Sequence, residues 1–145
     1  MKSLLALFAL VLVTTVPAAH GQPRATKVVP YGEQTFRHLM SVQLERSLDS
    51  PLAMVRAQTL KNALVFSTIY RDRIDLNSAV AKIAKIAKSD ENAQNRRLAV
   101  AALRAIGSHK ANRHLSELVP MQEDEYRSLV AGVISEYFEM NGAGS

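Results

Sequence analysis

Cysteine and tryptophan are absent from the 145 residues, and aromatic side chains make up only 6% of them. Without cysteine no disulfide can form, so packing alone must hold the fold. No N-x-S/T acceptor for glycosylation is present. Catalytic punctuation is missing too: there is no G-x-S-x-G turn around a serine, no G-x-x-x-x-G-K phosphate loop and no G-x-G-x-x-G. Nothing therefore argues for an enzyme, and no cofactor is implied. The scarcity of stacking aromatics near the basic residues argues against nucleic acid as a partner. No stretch alternates polar and apolar residues with period two, so no sheet is expected.

The one long apolar run is Leu4 to Val13, behind the basic start Met1-Lys2-Ser3 and ahead of Ala19-His20-Gly21. This is the pattern of a secretory signal peptide over residues 1–21, cleaved near Gly21/Gln22. The run is too short to serve as a permanent membrane-spanning helix, and no later segment reads as one. The lack of a cysteine at the cleavage point excludes a lipoprotein anchor. Export without disulfides or glycosylation sites suits a bacterial envelope, so the mature chain is expected to be periplasmic or secreted.

Charge is distributed unevenly. Residues 22–113 hold 16 basic and 7 acidic side chains, a net of +9, whereas residues 114–145 hold 1 and 6, a net of −5. The molecule thus has a positive body and a negative end, a division that bears on partners and on head-to-tail association.

Residues 22–31 carry two prolines and no helical period, which reads as an extended arm. From Gly32 onward the apolar spacing is helical. Phe36, Leu39, Met40, Leu44 and Leu48 form a first stripe. Ser50-Pro51 is placed to open a second helix running to Tyr70, apolar on more than one side through Val55, Val65, Phe66 and Ile69. Asp75 can cap a third, with Leu76, Ala79, Val80, Ile83 and Ala87 on its apolar face. Asp90 is of a helix-starting type and precedes a fourth, in which Ala99, Ala102, Leu103 and Ile106 share a face before Gly107 ends it. A short helix spans about 110–119 up to Pro120. Glu123-Asp124-Glu125 opens the last one, where three acids favour the positive end of the helix dipole. Its apolar face holds Leu129, Val130, Val133, Ile134 and Tyr137, and residues 141–145 read as a disordered tail.

The helices come in pairs that repeat. Asp49 precedes Arg56, and Asp90 precedes Arg97, by seven residues each; in the last unit Glu123-Asp124-Glu125-Tyr126-Arg127 compresses the distance. An acidic turn, an arginine and an Ala/Leu-rich helix recurring every 30 to 40 residues or so is the mark of a helical repeat. Arg97-Leu98-Ala99-Val100-Ala101-Ala102-Leu103-Arg104-Ala105-Ile106-Gly107 resembles the second helix of a HEAT repeat. The resemblance covers residues 32–140 as three units and is clearest in the middle one; Lys61-Asn62 and Gly132 depart from the Ala/Leu pattern in the outer two. It implies an all-α fold, a short solenoid of about three antiparallel helix pairs, with an irregular helical bundle as the alternative.

Neither the histidines nor the acids assemble into a metal site. His109 and His114 are five apart with no acid completing a set, and the Asp90 segment has Asn95 and Ala101 where a calcium loop needs glycine and glutamate. In HEAT-like proteins the second helices line the concave surface, so the resemblance nominates Arg56, Arg97, Arg104 and Arg127 as partner-facing. The expected function is a non-enzymatic scaffold or adaptor in the envelope, docking another envelope protein or a second copy of itself. The alternative is a peripheral binder of anionic lipid or polysaccharide that uses Lys82, Lys85 and Lys88.

Overall fold

The computed structural model of the chain describes residues 32–71 and 73–142. The expected signal peptide, the arm, and residues 143–145 lie outside the described residues. Six helices are present among those described, and no strand: α1 (Glu33–Leu48), α2 (Ala53–Thr68), α3 (Val80–Ser89), α4 (Ala93–Ile106), α5 (His109–Leu115) and α6 (Glu123–Gly142). The all-α class follows. The last helix includes Asn141 and Gly142, two residues that the sequence pattern assigns to the tail.

Met40, Leu44 and Leu48 recur at four-residue spacing and are buried, with Phe36 packed beside them. Leu39 breaks the expected stripe: it is 48% exposed, because one step of 100° carries it off the buried side. α2 is buried on more than one side, from Thr59-Leu60 through Ala63 to Ser67. Its buried hydroxyls are satisfied within the helix, Thr59 Oγ1 donating to the Val55 carbonyl at 2.7 Å and Ser67 Oγ to that of Ala63 at 2.7 Å.

Helix starts differ from the sequence expectation in three places. α3 begins only at Val80 after an uncapped Ala79, and Asp75 accepts the Asn77 N–H at 2.9 Å in the turn before it instead of capping the helix. α2 begins at Ala53 instead of Pro51, and the Ser50 hydroxyl accepts the Leu52 N–H at 3.2 Å. The Ser50 carbonyl is occupied by the guanidinium of Arg56 at 2.7 Å, which holds that residue in the turn. α4 is capped by Asn92, whose side chain accepts the N–H groups of Gln94 (2.9 Å) and Asn95 (3.1 Å), and not by Asp90. Asn92→Ala is expected to cost about 1 kcal/mol, read as a fall in denaturant midpoint with unchanged slope. At the other end Gly107 adopts φ 61°, the left-handed cap, as its position after Ile106 suggests.

α1 packs on α2 and α3 on α4, and these pairs meet mainly through α2 against α4, with α1 against α3 beside them. α4 is the centre: Leu98, Ala99, Ala101, Ala102 and Leu103 are each 2% exposed or less. Alanines on this helix let α2 and α3 approach closely, while the leucines fill the space between. The last two helices do not form a comparable pair. α5 has seven residues and buries only Ala111. About 10 Å of helix cannot cover the apolar stripe of a 20-residue helix, which is about 30 Å long. α6 accordingly makes little contact with α5 and lies against α2 and α4.

Candidate functional site

Arg56 reaches in two directions. Its Nη1 donates to the Ser50 carbonyl, six residues back, and its Nε and Nη2 clasp the Asp90 carboxylate at 2.6 and 3.1 Å. The Asp90 side chain is only 2% exposed and also accepts the Asn92 N–H at 2.9 Å. Asn95, 1% exposed, leans on the same carboxylate and donates to the Ala53 carbonyl at 3.1 Å. These groups tie the turn of the second helix pair to the start of α2. The Arg56 hydrogen bond holds the Asp90 carboxyl below the usual carboxylate range, and the same bond raises the guanidinium above its own ordinary value. Arg56 is therefore part of the framework between the pairs.

Arg96 makes the contact that matches Arg56, its Nη1 donating to the Asp90 carbonyl at 2.6 Å, again six residues back. These two matching turn contacts lie 40 residues apart, at Arg56 and Arg96, and Arg97 is one place out of register with the spacing read from the sequence. Freed from the turn, Arg97 points outward and pairs with Glu125 at 2.6–2.7 Å. Arg104, two helical turns on, pairs with Glu123 and lies 4.1 Å from the centroid of the Tyr126 ring. Arg127 pairs with the same Glu123 at 2.8 Å from within α6. On α2, Lys61 holds Glu136 at 2.6 Å. The hydrogen bonds from Arg127 and Arg104 keep Glu123 below its usual range.

The basic face of α2 and α4 is thus covered by the acidic helix of the same chain. The +9 and −5 segments meet intramolecularly. Beyond the charges, Tyr126, Leu129, Val130 and Tyr137 of α6 pack partly onto the core, and Val133 is buried. The Tyr70 and Tyr137 hydroxyls stand 3.4 Å apart, and burial, aided by that contact, pushes Tyr137 up to about 12.

The lysines of the alternative surface do not form a free patch. Lys82 pairs with Asp49 and also donates to the Glu45 carbonyl at 3.2 Å, and Lys88 pairs with Glu117, pulling that carboxyl below its usual range. Of the three, only Lys85 has no ion pair among the described residues.

Two further concavities adjoin these elements. One, of about 640 Å³, is lined by Lys88, Arg96, Arg97, Val100 and Met121 where the α5–α6 link crosses the second pair. The other, of about 430 Å³, brings Arg37 and His38 of α1 beside Arg71 and Arg73. Arg71 donates to the Ser67 carbonyl at 3.2 Å and the Ala105 carbonyl at 3.5 Å, closing the C-terminal ends of α2 and α4. Sequence spacing offers no signal for this cluster, since 34 residues separate Arg37 from Arg71. Among the described residues no three side chains of metal-ligating type converge, and no helix is long and apolar enough to cross a membrane. Comparison with protein-family models, with curated proteins and with solved structures finds no match to this chain.

Proposed function

We propose that this chain is a non-enzymatic interaction module of HEAT-like repeat type, exported to the bacterial envelope, whose α2–α4 face docks a partner's acidic surface in place of its own α6. The observation that carries the reading is the alignment of Lys61, Arg97 and Arg104 over two adjoining helices, each cation already engaging a carboxylate of an amphipathic helix. Such a face recognises a partner as a helix laid across it, with charge setting register and partly buried apolar side chains supplying adhesion. The turn contacts of Arg56 and Arg96, 40 residues apart, support the repeat assignment. Peripheral binding to anionic lipid or polysaccharide has less support, because Lys82 and Lys88 pair with two separate segments, Asp49 after α1 and Glu117 after α5, and not with one common element.

Crosslinking of the chain in its native envelope, followed by mass spectrometry, tests the docking face. The wild type is expected to recover a specific protein, and an Arg97→Glu/Arg104→Glu chain to recover roughly tenfold less of it. Equal recovery by both chains would remove this face as the docking surface.

A further inference from the structure

The acidic helix that occupies the basic face is attached to the rest of the protein in an unusual way. It shares little surface with α5, the element before it in the chain, and packs on α2 and α4, which are four and two elements earlier. The link between them, Ser116 to Gln122, is seven residues long and carries Pro120 and the 87% exposed Val119. Only Val133 of its 20 residues is buried. Its charged contacts lie at the rim, with Glu123, Glu125 and Glu136 between 35% and 50% exposed. A helix held in this manner behaves as a tethered ligand of the face beneath it. Its grip combines rim ion pairs and partial apolar contact, and the tether supplies the effective concentration that keeps it in place.

We propose that α6 is an exchangeable ligand of the α2–α4 face, and that two copies of this chain trade it, each face receiving the α6 of the other. The inference rests on the reading of that face as a docking surface. Every contact made within one chain is reproduced between two, so the exchange needs no new interface chemistry and closes as a symmetric dimer. The tether favours the closed monomer in dilute solution, and exchange prevails when chains are crowded or when the internal match is spoiled. Phe138 and Met140, 54% and 55% exposed on the last turns of α6, remain open in the closed form and adjoin the part of the helix that would cross to the partner copy.

Charge reversal in two separate chains tests this directly. One full chain carries Arg97→Glu/Arg104→Glu and the other carries Glu123→Lys/Glu125→Lys. Each is mismatched internally, while both faces of a mixed pair are matched. Circular dichroism first establishes that each chain is helical, and a single chain with all four changes serves as the restored control. The expected result is a 1:1 dimer in the mixture by light scattering, with each chain monomeric when alone and the restored control monomeric at the same concentration. Mixtures that stay monomeric, while each mismatched chain melts below the control, would overturn the exchange and leave the docking face intact. Mixtures that stay monomeric with unchanged melting would overturn both, since α6 would then be insensitive to the face it covers.

Discussion

Replacing Asp90 by alanine is expected to destabilise the protein by about 3 kcal/mol, lowering its melting temperature by roughly 10 °C. The side chain is 2% exposed, and it gathers the Arg56 guanidinium, the Asn92 N–H and the Asn95 amide at one point. Truncation leaves a guanidinium and an amide facing each other across the junction of the two helix pairs with their acceptor gone. Removing one member of a buried ion pair costs more than the pair contributes, because the remaining charge stays desolvated. The low end of that range applies, since Arg56 is 17% exposed and keeps the Ser50 carbonyl. The carboxyl is held below its usual range in the folded protein, so its stabilisation is full above the ordinary carboxylate pKa of about 4 and fades as pH falls through the lower folded value. The acid limb of a melting-temperature profile should therefore be shallower in Asp90→Ala than in the wild type. A loss below about 1 kcal/mol, with an unaltered acid limb, would mean that the pairs are joined by apolar contact alone.

That junction also shows where sequence reasoning stops. The helical period and the glycine stop of α4 are local properties, and both were legible: Leu103 and Ala102 are fully buried and Gly107 takes the left-handed form. The arginine register was not. Arg96 and Arg97 are adjacent, and a count of seven from an acid selects Arg97, yet only Arg96 faces back along the turn toward the Asp90 carbonyl. Assigning Asp90 as the helix cap failed for a related reason. Its side chain is taken by an arginine 34 residues away, and Asn92 does the capping. The charge division was visible as a difference between segments, but its meeting within one chain depends on the direction taken by the link after α5, which no spacing encodes. Of the four nominated arginines, Arg97, Arg104 and Arg127 converge on the acidic start of α6, and Arg56 belongs to the framework.

Leu103→Ala is expected to cost about 3 kcal/mol, against about 1 kcal/mol for Leu129→Ala. Leu103 is 0% exposed on the helix that touches both pairs, so its removal opens a cavity enclosed by α4 and its neighbours that cannot collapse without moving them. Leu129 is half-buried on α6 and its loss opens a groove that water can enter. Hydrogen exchange separates the two cases more sharply than melting. With Leu103→Ala, amide protection should fall throughout α2, α3 and α4, because those helices open as one unit. With Leu129→Ala the loss should be confined to α6, which can lift from the face while the paired helices stay closed. If Leu129→Ala lowers protection in α4 as much as Leu103→Ala does, α6 opens only with the whole fold. It would then be a wall of the core, and two chains could trade it only by unfolding.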